Sequence, residues 1–438
     1  MVQMPKEVRR RIFYCLIAAF LVLGTGIVLY AQGWRLGFQP LGFAKVGAMY
    51  VRTFPADAKV TLDGKLKERR IGWIGKGTLL GDLLPGEYEL GVSAPGFQPL
   101  AFSVVVSSTI VTNMQNLVLV PDTPTLVTST TVRDITLAGT TLLLQTASGT
   151  HTLAGMPIRG GTVLAASEDG AVILSYATSS RNYYAAETAR ATSTNLGRLP
   201  NQVSGRDVLS FQPVPRDDTL FLAKSSVGLH LIRMPSGETL RLTTTSVIAA
   251  AAAPGRIVWA TFDAKAQISL LSSYDIPSRN RNADFELVPG RVTSLLFLGS
   301  GEIFAHTQDG SLYSMNLGQS SRVRLAQNVR SIAPSRDDSK LAILDGRGVE
   351  IVRLRGDEPD LWLALPDIAR VQKLVWHRDG DHLFVHYPDK VAFLDLRDTA
   401  LRNFSTAAPS AVAEYEPNGN ILYFLKDNML YKLEFPNS

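Results

Sequence analysis

The chain has 438 residues, 45% of them hydrophobic and 19% charged, which is ordinary usage for folded protein and far from the polar, charge-rich composition of disorder. Its 44 Lys and Arg against 39 Asp and Glu leave a net charge of +5, and Lys6, Arg9, Arg10 and Arg11 carry four positive charges before the first apolar run. With no Lys/Arg cluster after residue 76 the composition argues against a nucleic-acid partner, and the single cysteine, Cys15, excludes a disulfide within the chain and a multi-cysteine zinc site.

From Ile12 to Ala31 the sequence runs 20 residues without a charge. About 20 helical residues match a hydrocarbon core about 30 Å thick, so a transmembrane helix is expected over 12–31, after a basic cytoplasmic tail over 1–11. Arg9, Arg10 and Arg11 set its orientation: the positive-inside bias keeps the N-terminus cytoplasmic and sends the rest of the chain across. Tyr30 and Trp34 suit the outer interface. A cleaved signal peptide is the competing reading, because Ala31 is small, although Leu29 does not match a small-x-small cleavage site and the apolar run is long for a signal peptide.

Between residues 47 and 120 the pattern changes to short alternating segments divided by Gly and Pro, which predicts a small β-domain. Val60 and Leu62 alternate with Thr61 and Asp63, and Asp63-Gly64 supplies the positive-φ pair of a tight hairpin. Pro85-Gly86 and Pro95-Gly96 make two further turns. The order Pro55-Ala56-Asp57-Ala58, Asp63-Gly64, Leu84-Pro85-Gly86-Glu87-Tyr88-Glu89-Leu90, Ala94-Pro95-Gly96-Phe97 resembles the PEGA domain, a β-sandwich of bacterial surface proteins. The family's Thr-Pro before the Leu-Pro-Gly turn is missing, with Gly77-Thr78 in its place. The resemblance implies a stalk or adhesion-like module without catalytic residues. Lys65, Lys67, Arg69 and Arg70 form a basic stretch that offers contact to anionic headgroups or wall polymers; its plainer reading is a solvated loop, in keeping with Glu68 in its middle.

After Pro121-Asp122-Thr123-Pro124, a strand, turn, strand pattern recurs to the end of the chain, over 124–438. The turn residues Asp169, Asp217, Gly255, Ser300, Asp337, Asp379 and Asn418 follow one another at intervals of 48, 38, 45, 37, 42 and 39. Propeller blades of four strands recur at about 40 to 50 residues. A shorter copy from Val132 favours eight blades, with seven as the alternative count. The last copy ends at its third strand, so Thr125 to Ser129 is expected to supply its fourth and close the ring. The expected fold is therefore mainly β: an N-terminal transmembrane helix, a PEGA-like sandwich and a C-terminal propeller. The hairpins Ser335-Arg336-Asp337-Asp338-Ser339-Lys340 and His377-Arg378-Asp379-Gly380-Asp381 resemble propeller repeats of the TolB type, without their proline; Glu416-Pro417-Asn418-Gly419-Asn420 keeps it.

Among six histidines, only His377, His382 and His386 cluster. His382 and His386 lie four apart on a strand, about 13 Å at about 3.3 Å per residue, too far to share a metal. His377 faces His382 across a hairpin, where a third ligand would have to be Asp379 or Asp381. The expectation is surface hairpin residues and no metal. Nucleophile elbows, phosphate loops, His-Glu-x-x-His helices and EF-hand spacings are absent, so no catalytic residue and no cofactor are expected. The reading is a non-catalytic binding or scaffolding protein, single-pass in the bacterial cytoplasmic membrane with most of the chain outside the cytoplasm. Its expected partners are the lipid bilayer and an envelope protein or polysaccharide. The alternative is a propeller hydrolase or lyase acting on envelope polysaccharide or peptide at the channel mouth, which the run Ala249 to Ala253 leads one to expect lined by small side chains instead.

Overall fold

The computed structural model describes residues 6–38, 41–67, 77–197, 208–317, 322–356, 359–396 and 404–437. The chain forms two compact units. The first holds the N-terminal helix and β-sandwich, and the second begins at Pro124.

Helix α1 spans Lys6–Ala31, so Arg9, Arg10 and Arg11 lie in its first turns, continuous with the apolar stretch. Its stretch Glu7–Ala31 is long and apolar enough to cross a membrane, a property shared with signal sequences. Its large side chains are almost all exposed, Phe20 and Val22 to more than 70%, so no described protein surface covers them. Strands β1 (Trp34–Phe38) and β2 (Leu41–Lys45) form a hairpin directly after it.

The sandwich is built from β3 (Gly47–Phe54), β4 (Lys59–Leu62), β5 (Lys65–Leu66), β6 (Thr78–Leu83), β7 (Gly86–Ser93), β8 (Leu100–Val106) and β9 (Val111–Val118). One sheet has the order β6-β3-β9 and the other β5-β4-β7-β8. Alternation places Met49 and Val51 of the first sheet against Leu62, Leu90, Phe102 and Val104 of the second, all buried. Asp63 and Gly64 both have positive φ, 50° and 73°, as a two-residue hairpin of matching twist requires. Strands β3 and β9 pair in parallel, Ala48 opposite Val111. This is a long-range pairing that local turn signals do not announce.

The second unit is a ring of eight antiparallel sheets. Their innermost strands are Val132–Ala138, Gly161–Ala166, Val208–Val214, Ala249–Ala253, Val292–Phe297, Ser331–Pro334, Lys373–Trp376 and Ala413–Glu416, here blades one to eight. All seven spaced turn residues fall at the hairpin between first and second strands. Strand β10 (Thr125–Thr128) pairs with Met429–Glu434 and completes blade eight, as the missing fourth strand requires. Blade one has three strands. The loop after its third strand covers the outer edge instead: Ile158 N donates to Thr150 O and Thr152 N to Met156 O, both at 2.8 Å.

Candidate functional site

Among the described residues, a group of buried titratable side chains that could hold a metal sits in blade seven, on the hairpin from Trp376 to His382. The turn closes when Gly380 N donates to His377 O and His377 N to His382 O. Gly380 takes φ +70°, where glycine has no steric penalty. This geometry turns Asp379 back between the two histidines. His377 Nδ1 lies 3.0 Å from Asp379 Oδ1, and His382 Nδ1 donates to Oδ2 at 2.8 Å. Asp381 N is a further donor at 2.9 Å. The His382 ring stacks on Phe393 at 4.8 Å, and His377 lies beside Phe393 and Tyr415.

Both histidines are about 1% exposed. The expectation that they lie on the surface is thus corrected: the hairpin is tucked beneath its neighbours' aromatic rings. Burial alone would raise the pKa of Asp379, but the hydrogen bonds and charge of His377 and His382 outweigh it and hold the carboxyl far below the usual carboxylate range. The three ligand atoms lie within 4.8 Å of one another, a donor set compatible with a divalent transition metal. The same atoms also satisfy each other directly, one carboxylate oxygen lying against each imidazole. Asp379 therefore joins the pair, as the sequence allowed, while His386 lies elsewhere on the strand.

Two other blades carry the same turn with serine in place of His377. Ser167 Oγ donates to Asp169 Oδ1 at 2.7 Å and accepts from Val172 N; Ser335 Oγ donates to Asp337 Oδ1 at 2.7 Å and accepts from Lys340 N. The Asp is thus a turn lock common to these blades, and in blade seven its capping hydroxyl is exchanged for two imidazoles. Sequence spacing pointed to the turns; the enclosing Phe393 and Tyr415, 16 and 38 residues after His377, had no local signal.

The innermost strands define the channel side of each blade. Ala249–Ala253 forms the inner strand of blade four, as its small residues led one to expect. The eight inner strands carry three carboxylates, Asp134, Glu414 and Glu416. Asp134 Oδ1 accepts from Ile135 N, Glu414 pairs with Lys373 at 3.2 Å, and Glu416 accepts from Asn418 N and Gly419 N in its own turn. Lys373 is half exposed, so that ion pair contributes at most about 1 kcal/mol.

Of the predicted surface contacts, Lys65 is exposed on the β4–β5 hairpin and Lys67 is half-buried, its N donating to Val60 O. Neither makes an ion pair with a described residue, and Arg69 and Arg70 lie outside the described residues. Arg9, Arg10 and Arg11 are exposed on α1.

No protein-family model matches the chain, and no curated protein matches it. Among solved structures it is similar to an oligogalacturonate lyase from Vibrio parahaemolyticus, with 10% identity over 61% of this chain and 87% of that one and a TM-score of 0.43. It is also similar to PorZ, a bacterial surface component of the type-IX secretion system of Porphyromonas gingivalis, with 15% identity, 68% and 42% coverage and a TM-score of 0.42. A eukaryotic initiation factor gives 13% identity, 70% and 86% coverage and a TM-score of 0.48. The chain spans under half the length of PorZ. The class assigned here, an eight-bladed β-propeller carried behind an apolar helix and a β-sandwich, stands on the strand pairings themselves.

Proposed function

We propose that this chain is a membrane-anchored, non-catalytic binding or scaffolding protein of the bacterial cell envelope, with its propeller outside the cytoplasm. The observation that carries the reading is the chemistry of the inner strands. Their side chains are largely small, aliphatic or hydroxylic, and each of their three carboxylates already has a protein partner, Asp134 and Glu416 within their own segments and Glu414 in Lys373 of the neighbouring blade. General acid/base work calls for titratable groups that converge on a cleft with a free reacting position. The His377–Asp379–His382 group is enclosed by rings and serves the fold. On this reading α1 is the anchor, oriented by Arg9 to Arg11, and the sandwich is a PEGA-like spacer, in keeping with its Asp63-Gly64, Pro85-Gly86 and Pro95-Gly96 turns.

Two measurements test it. Protease added to intact spheroplasts should cleave after Trp34 and leave a membrane-bound N-terminal fragment; full protection, or a mature protein beginning near Gln32, would overturn the anchored topology. Purified protein should release no reducing or unsaturated ends from envelope polysaccharide. Turnover abolished jointly by Asp134→Asn and Glu414→Gln would replace the binding role with a catalytic one.

A further inference from the structure

The large apolar side chains that the sandwich leaves exposed are concentrated at one end. Leu84 is 55% exposed, Val105 62%, Ile110 59% and Val111 54%. Strand pairing brings them together: Gly47 pairs with Leu83, Gly86 with Val106, and Ala48 with Val111, so the β6–β7 turn and the β8–β9 loop share the end at which β3 begins. Leu66 and Leu79 are exposed away from these turns.

This is also the end at which α1 arrives. Val46 N donates to Gly33 O and Thr109 N to Val46 O, which ties the residues just after the helix to the β8–β9 loop. Arg35 bonds Asp82 at 2.7 Å and lies over the Tyr30 ring at 3.8 Å, fixing the helix end to the β6 side. Lys45, exposed, stands 5.3 Å from the Trp34 ring. Apolar side chains, amphipathic aromatics and a cation at the end of an apolar span are the composition of a bilayer interface, where rings sit at headgroup level and Lys meets anionic lipid.

We propose that this end of the sandwich is a membrane-contacting collar: Leu84, Val105, Ile110 and Val111 rest in the interfacial layer of the bilayer that α1 crosses, and Lys45 faces its anionic headgroups. The inference rests on α1 being a retained anchor. Apolar area that would otherwise meet water is then covered by lipid, and the tied helix end holds the sandwich against the surface as a seated base, not a free tether.

The test uses the full chain with Cys15→Ser, reconstituted in vesicles of phosphatidylcholine and phosphatidylglycerol. A single cysteine is placed at Ile110→Cys or, as control, at Ala56→Cys, which lies beyond the far end of β3 and is exposed. Each is labelled with an environment-sensitive fluorophore. The collar predicts blue-shifted emission at 110, quenched by lipid spin-labelled near the headgroup, with neither effect at 56. Equal, solvent-like emission at both sites in protein that floats with vesicles through alkaline carbonate would overturn the collar alone. Failure to float would overturn the anchor beneath it. In an Ile110→Cys chain also carrying Lys45→Glu, quenching should weaken only when phosphatidylglycerol is present; an unchanged response would remove Lys45 from the contact.

Discussion

Thr125, the first residue of β10, stands opposite Lys432 in antiparallel register, although one lies just after the β-sandwich and the other six residues from the C-terminus. Leu126 pairs with Tyr431 in the same ladder, and Val132 N donates to Asn428 O at 2.8 Å. The ring is therefore closed by backbone hydrogen bonds between its sequence ends. Deleting residues 125–130 should strip the outer partner from Met429–Glu434 and cost about 2 to 4 kcal/mol at about 0.5 to 1.5 per hydrogen bond. Amide exchange across Leu422 to Tyr431 should rise sharply. Unchanged protection there would show that closure is made by side-chain packing between blades.

Asp379 accepts from His382 and from a backbone amide while buried and lies 3.0 Å from His377 Nδ1, so its removal takes away the group around which the hairpin is ordered. Asp379→Ala should destabilise the propeller by about 3 to 5 kcal/mol. Asp379→Asn, which keeps the volume and one acceptor, should cost less. Because the folded pKa is depressed, the stabilisation is complete above the unfolded carboxylate value and is lost as pH falls below it. Denaturant melts of the wild type and of Asp379→Asn from pH 6 to 3 should start to approach each other only below the unfolded carboxylate value, with a gap still left at pH 3; curves that stay parallel down to pH 3 would deny the carboxylate this role.

His386 titrates in a different window. Burial first, and then the charge of Lys373 opposite it, pushes its pKa down from 6.5 to about 4. The neutral ring is the form the fold holds, so stability is full above the unfolded value and falls between about pH 6.5 and 4, as the unfolded chain takes up a proton that the native state refuses. The loss is on the order of 3 kcal/mol at about 1.4 per pKa unit. His386→Leu should flatten this segment of the stability curve, and an undiminished slope in that variant would assign it to another group.

The architecture was largely legible because its signals are local. Asp-Gly and Pro-Gly turns at regular spacing mark hairpins, and the short final copy pointed to a strand borrowed from Thr125 onward. The parallel pairing of β3 with β9 was not legible, since it joins segments more than fifty residues apart and leaves no turn between them. The burial of His377 and His382 was missed for a related reason. A polar Asp-Gly hairpin reads as surface, and what covers it, Phe393 and Tyr415, comes from another strand and from the next blade.

The way blades one and two are set against each other turns on Gly139. This residue ends the first strand of blade one at φ +62°, in the left-handed region that a side chain rarely adopts. The turn it makes lies against the Ser167–Gly170 turn of blade two, where Thr140 Oγ1 donates to Asp169 O at 2.5 Å. A Cβ added at Gly139 would come to 2.3 Å from Ser167 O and 2.4 Å from Gly170 N, both backbone atoms that cannot swing away. Gly139→Ala thus combines backbone strain with a steric clash at the interface of two blades, and should cost about 2 to 4 kcal/mol. Gly149 gives the control: its φ of +120° is equally unsuited to a side chain, yet no atom lies within 4 Å of its added Cβ. Gly149→Ala should show the strain alone, about 1 to 3 kcal/mol. Thermal melts of the two variants measure the difference. A larger loss at Gly139, with raised amide exchange across the Ser167 to Val172 hairpin, marks close packing between the turns of blades one and two; equal losses with no change at that hairpin would mean that the two turns do not bear on each other.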